Sequence, residues 1–248
     1  MASQVPDLFD YAKRTLSRAA AQALDRAIEA AAQAARRAVQ DRVDDLAASI
    51  EYFSAVLGQM AHGAANAVAD SFRGGAARTL TKAEADLING VFGNQPVTTD
   101  QVRFVNGPGR QPLAATAFLK GNPAITIGNT VYVKADHYLA AGGADWTGNT
   151  VGMELLFHEY VHVLQWAKLG FGRFGKRYAQ EFKKAGGDPA VMYAYQSRDL
   201  HYRDEMLEGQ AAMVGDWAEQ WKTDPSARNQ ALIQQIREKL RGTGIFGH

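Results

Sequence analysis

The sequence has no cysteine, only seven prolines in 248 residues, and no long uncharged apolar run. Without thiols there are no disulfides, no thiolate metal sites and no cysteine nucleophile, so any metal must be held by His, Asp or Glu. The redox compartment stays open, because a chain without thiols tolerates either side of a membrane. A membrane span needs about 18 or more consecutive apolar residues, and none occurs. The opening stretch "MASQVPDLFDYAKRTLSRAAAQ" has early acidic residues and no apolar core, so it does not read as a Sec signal. The formal net charge is only +1, so nucleic acid and anionic membrane surfaces are not expected partners. What remains, 46% hydrophobic and 21% charged residues, is the balance of a globular chain. The length allows one large domain, or a smaller one with an extension.

Asp7 to Leu57 contains no Gly and no Pro. Apolar residues recur there at helical spacing, among them Leu16, Leu24, Ile28, Val39, Val43, Leu46, Ile50, Phe53 and Leu57. This predicts one long helix, or two joined by a polar turn near Asp41 to Asp45. Such a segment needs something to pack on. Gly74-Gly75 marks a boundary, giving an N-terminal helical module over residues 1–75 and a main domain over 76–248. In the main domain, Thr81 and Glu84 form a capping box at the start of a short helix. "QVRFV" reads as a strand, and "NPAITIGNTVYVK" as a hairpin turning at Gly128-Asn129. Helices are expected from Thr150 to about Leu169, from Tyr178 to Ala185, from Arg203 to about Lys222 and from Pro225 to about Arg241. Strands followed by helices make the domain α+β.

The chemistry concentrates in "TVGMELLFHEYVHVLQW". Residues four apart share a helix face, so His158 and His162 can aim their rings at one point, the bite that a tetrahedral zinc needs. Glu159, offset by one residue, borders that point and can take a proton from water activated by the metal. A purely structural pair of histidines would have to find backbone partners, because burying such groups unpaired costs several kcal/mol. The pattern with a further glycine and histidine downstream fails, since those positions are Gln165 and Lys168. A third ligand must come from "YRDEMLEGQAAMVGDWAEQW", where Glu205 and Glu208 stand one turn apart. Past Glu208 the small residues Gly209, Ala211, Ala212 and Gly215 would let this helix press on the first. Asp216 lies near the same face and could accept a hydrogen bond from a ligand histidine.

Five blocks in order, "LTKAEADLINGVFG", "VRFVNG", "GNTVYV", "LLFHEYVHVLQ" and "LEGQAAMVGDW", resemble a family of bacterial zincins. These are the metallopeptidase domains associated with contractile injection systems, including C-terminal domains of type VI secretion spike proteins. The resemblance spans about residues 79 to 222. It implies a gluzincin-like fold with a small sheet above an active-site helix. It also implies a Zn2+ cofactor held by His158, His162 and Glu208, with Glu159 as the base. It further implies a secreted effector or toxin, made in the bacterial cytoplasm and exported by a specialised system. A protein or peptide would be its substrate, and a carrier or immunity protein its partner. Residues 1–75 lie outside the resemblance and would be specific to delivery or packing.

The expected activity is therefore peptide-bond hydrolysis by Glu-assisted attack of water. Tyr195, His201 and Tyr202 precede the Glu208 helix and are candidate donors to the transition-state oxyanion. Val131 to Lys134 is a candidate edge on which an extended peptide could add. The alternative is a non-catalytic zinc protein that engages a carrier or membrane through its N-terminal helices. The intact Glu159 favours the first reading, since a structural site needs no base.

Overall fold

A computed structural model describes residues 8–40, 45–74, 77–93, 95–223 and 230–248. Three helices come first: α1 (Leu8–Gln40), α2 (Leu46–Leu57) and α3 (His62–Ser71). Then follow β1 (Ala77–Arg78), α4 (Lys82–Phe92), β2 (Arg103–Asn106), α5 (Pro112–Leu119), β3 (Ala124–Ile127), β4 (Thr130–Val133) and α6 (Ala135–Ala140). The chain ends in α7 (Thr150–Leu169), α8 (Phe171–Lys184), α9 (Pro189–Tyr193), α10 (Leu207–Thr223) and α11 (Gln230–Leu240). The architecture is α+β, with a four-stranded mixed sheet in the order β1-β2-β4-β3. β2 and β4 run parallel, and the other two pairings are antiparallel.

Side chains alternate between the two faces of a strand. Phe104, Val131 and Val133 face one cluster with Ile88, Trp146, Leu156 and Phe157. Val105, Ile127 and Tyr132 face a second with Phe53, Leu57, Phe72, Leu113 and Trp166. Both faces are thus covered by helices, which is why all four residues of β4 are buried rather than alternating with exposed ones. α4 begins with the expected capping box: the Thr81 hydroxyl accepts from Glu84 N, and the Glu84 carboxylate accepts from Thr81 N. The same buried carboxylate takes two bonds from Arg78, at 2.7 and 2.8 Å, and one from Trp146 N at 3.0 Å.

The sheet order corrects one expectation. β4, with Val131 to Val133, lies inside the sheet between β2 and β3. The free edge beside α7 is β3, because the hairpin returns β4 toward β2. Other differences have local causes. α8 starts at Phe171 rather than near Tyr178, because tertiary packing overrides the low helix propensity of Gly172 and Gly175. A Cβ on Gly175 would lie 2.3 Å from Ser54 Cβ, so α8 and α2 cross where only glycine fits. α10 starts at Leu207 because Tyr202–Asp204 forms a 3-10 turn and Glu205 is extended. Glu181 accepts from Leu207 N at 2.7 Å and caps the start of α10. Of the expected polar turn near Asp41 to Asp45, Asp45 caps α2 by accepting from Ala48 N, while 41–44, Gly75 of the expected boundary and Pro225 of the last expected helix lie outside the described residues.

The N-terminal helices complete the second cluster. Ile50, Phe53 and Leu57 of α2, with Val68 and Phe72, pack against Val105, Ile127, Tyr132, Trp166 and Phe174. Ala20–Ala23 and Asp25–Ala27 on α1 are exposed, while Ala32 and Ala35 are buried. Phe53 is fully buried, and truncating a buried Phe to Ala costs about 3–5 kcal/mol. Phe53→Ala should therefore lower the urea midpoint of the same transition that Phe157→Ala lowers. A Phe53→Ala midpoint equal to that of the unaltered chain would mean that α2 is docked without supporting the sheet.

Candidate metal centre

α7 is capped at its start by Asn149, whose side chain accepts from Gly152 N at 2.7 Å, and at its end by Gly170 with φ 71. Every residue from Leu155 to Trp166 is buried. A helix enclosed on all sides can hold polar groups only where each meets a partner. His158, Glu159, His162 and Gln165 are each 4–6% exposed, so their partners define the site.

α10 supplies the main one. Glu208 Oε2 lies 3.1 Å from His162 Nε2 and 3.5 Å from His158 Nε2, and the two Nε2 atoms are 3.2 Å apart. Three ligand atoms from two helices therefore converge on one point, and this buried group could hold a metal ion. The spacing can be tested against coordination geometry. Ligands about 2.1 Å from a tetrahedral ion stand about 3.4 Å from one another. The observed triangle matches that within a few tenths of an ångström.

The charges agree with the geometry. Burial favours the neutral imidazole of His162, but the Glu208 carboxylate outweighs it and pushes the pKa up to about 9. His158 moves up in the same way, its burial overcome by the hydrogen bond to Glu208. Burial would raise Glu208, yet the two histidines hold it well below the usual carboxylate range. Where no cation is bound, a proton on His162 balances the carboxylate; a divalent ion would take its place.

Side chains around the triangle fix its members. Gln165 Oε1 is 2.7 Å from His162 Nδ1, while its Nε2 donates to Leu207 O at 3.0 Å and to Gln210 Oε1 at 2.9 Å. This directs His162 Nε2 inward and ties α7 to the start of α10. Thr126 on β3 donates from Oγ1 to Glu159 Oε2 at 2.6 Å. The Tyr193 ring stacks on the His158 ring, with centroids 5.7 Å apart and planes at 17°. Burial pushes the Tyr193 phenol well above its ordinary range, and Glu208 adds to the shift through charge and hydrogen bonding. A cavity of about 40 Å³ opens beside the group, lined by Glu159, His162, Glu208, Thr126, Tyr178 and Tyr193. Its remaining wall is mostly apolar and includes Leu46 and Ile50 of α2.

Several expected residues are placed elsewhere. Tyr195 is buried and donates to Asp216 Oδ2 at 2.6 Å, because the chain turns away after α9. Asp216 is thus engaged by Tyr195, and by Gln196 at 3.0 Å, not by a ligand histidine. His158 Nδ1 has no hydrogen-bond partner, and Glu154 Oε1 stands 3.8 Å from it. His201 Nδ1 is 3.2 Å from Lys239 O, so His201 faces α11. Tyr202 lines a different cavity with Val161, Leu164 and Lys168. Glu205 is wholly buried, accepts from Arg198 Nε at 2.8 Å and faces away from the triangle. Gln165, Thr126 and Tyr193 were not singled out as site residues by sequence reasoning. Only Gln165 left a signal, as a polar residue one turn past His162 in an apolar helix. Comparison of the chain with protein-family models, with curated proteins and with solved structures returned no match.

Two neighbouring glutamates should separate metal binding from stability. Glu208→Ala removes one corner of the triangle and should abolish binding of a divalent ion at nanomolar concentration. Glu205→Ala should leave binding intact but destabilise the fold by about 3 kcal/mol or less, since Arg198 loses its carboxylate while keeping some contact with solvent. Equilibrium dialysis and urea unfolding read the two effects. The opposite assignment of effects would place the ligand at Glu205.

Proposed function

We propose that this chain is a zinc-dependent metallopeptidase, with a gluzincin-like active site and an effector role after export from a bacterial cell. The observation that carries the reading is the triangle of His158, His162 and Glu208 with Glu159 beside it and a cavity in front. Structural zinc sites are usually closed by four protein ligands, whereas catalytic ones keep an open position. Among the described residues this group offers three. Two imidazoles and a carboxylate in tetrahedral spacing, with no thiol in the chain, suit zinc.

Bound zinc would supply a Lewis acid that polarises a carbonyl and acidifies water. The chain's own groups do the rest. Gln165 orients His162. Thr126 fixes the Glu159 carboxylate at the cavity wall. Glu159 accepts the proton of the attacking water and passes it to the leaving amine. A peptide substrate is supported by β3. The bond from Lys134 N to Pro123 O sets the phase of the hairpin, so backbone groups of Ala124 and Thr126 point away from β4. Thr126 O on that edge is already taken by Trp166 Nε1 at 2.8 Å, so an extended peptide could pair only at the Ala124 end, whose N–H has no backbone partner among the described residues. The cavity is water-sized, so a peptide side chain enters only as its wall yields. The exposed residues Ala20–Ala23 and Asp25–Ala27 of α1 are where we place contact with a delivery partner.

The purified protein should hold about one zinc per chain. Glu159→Gln should keep the zinc and lose hydrolysis of unfolded protein by about 10²–10⁴-fold. An active Gln variant would remove Glu159 as the base, whereas an unaltered chain that holds zinc and hydrolyses nothing would favour a non-catalytic zinc protein.

Zinc binding should also depend on pH in a defined window. Below about 9 the metal-free His162 holds a proton that zinc must displace. Affinity should therefore rise about tenfold per pH unit as pH climbs toward about 9 and level off above it. Chelator competition across that range reads the slope, and a flat profile would contradict the charge balance derived for the site.

A further inference from the structure

The site described so far has a base and three ligands but no group to meet the charge that develops on the substrate carbonyl oxygen. Hydrolysis requires one: as water adds to the carbonyl carbon, the C=O pair moves onto oxygen. The three donors expected from the sequence are engaged with Asp216, Lys239 O or another cavity. The cavity wall instead carries two tyrosines, Tyr178 on α8 and Tyr193 at the end of α9. They differ in how they are held. Tyr178 stacks on Phe174, with centroids 6.3 Å apart, on the side of the second core cluster. Tyr193 stacks on the ring of a ligand, His158, which fixes the phenol relative to the metal position. Tyr193 also shares one cavity wall with Glu159, His162 and Glu208, so it lies at the rim of the ligand triangle.

We propose that Tyr193 is the transition-state donor of this site, its neutral hydroxyl hydrogen-bonding the carbonyl oxygen as that oxygen becomes an oxyanion. The inference rests on the metallopeptidase reading. Water forms the C–O bond while its proton passes to Glu159. Collapse breaks the C–N bond, the electron pair goes to nitrogen, and Glu159 returns the proton to it. Tyr193 keeps its proton throughout and donates only a hydrogen bond, so it needs no co-reactant.

The test uses the full chain loaded with zinc, and the variants Tyr193→Phe and Tyr178→Phe. Fluorescein-labelled casein reports kcat and KM. A leucine-containing peptide phosphonamidate, chosen for the apolar cavity wall, reports affinity for a tetrahedral anion without turnover. Tyr193→Phe should keep its zinc and its melting temperature. It should lower kcat about 10²–10³-fold with little change in KM, and weaken phosphonamidate binding by a similar factor. Tyr178→Phe should change neither by more than a few fold. Unchanged phosphonamidate affinity in Tyr193→Phe, or the loss appearing in Tyr178→Phe instead, overturns the assignment. An unaltered protein that holds zinc but neither cleaves casein nor binds the phosphonamidate overturns the metallopeptidase reading itself, and the assignment with it.

Discussion

The carboxylate of Glu208 reaches the His158–His162 pair only because α10 lies against α7 with almost nothing between them. Gly215 sets that distance: a Cβ there would stand 3.1 Å from Glu154 O and 3.3 Å from His158 Cβ. Ala211 and Ala212, both buried, continue the contact. Gln165 then bridges the two helices through Leu207 O and Gln210. Close approach alone would bury one negative charge at prohibitive cost. The two imidazoles make it tolerable by balancing that charge. The histidines and the glutamate thus stabilise one another before any ligand is considered, and the point they share is where a cation fits.

That arrangement is held from both sides. α7 is enclosed because one cluster, with α4, α10 and α11, covers one side, and a second, with α2, α3 and α8, covers the other. The N-terminal helices reach the candidate site itself, since Leu46 and Ile50 line the same cavity as Glu159 and His162. The tight crossing of α2 and α8 at Ser54 and Gly175 makes this wall part of the packed body. The size of the cavity therefore depends in part on Leu46 and Ile50 of α2.

The extent of α7 was legible because its long apolar run, broken only by the polar residues of the site, is a local signal. So were the capping box at Thr81 and the hairpin about Gly128-Asn129. Helix α5 was not, although Gln111 caps it and Pro112 opens it, because a short apolar "PLAATAFL" has no period to distinguish it from a strand. At the site, His158 and His162 were legible from spacing alone. Glu208 and Glu205 are both buried acids one turn apart, and what separates them is three-dimensional: Arg198 claims Glu205. The same is true of Tyr195, which pairs with Asp216 across 21 residues, and of Thr126, which meets Glu159 from a strand 33 residues away. Sequence spacing within one helix carries such information, and contacts between elements do not appear in it.

We propose that the two imidazoles and the Glu208 carboxylate hold a tetrahedral zinc with one position left open. X-ray absorption at the zinc edge tests this most directly on the zinc-loaded full chain. The expected result is a four-coordinate zinc, with N and O scatterers at about 2.0–2.1 Å and an outer-shell pattern for two histidines. Glu208→Ala should lose that signal. A spectrum with one histidine or none, or with four protein ligands closing the site, would contradict the account.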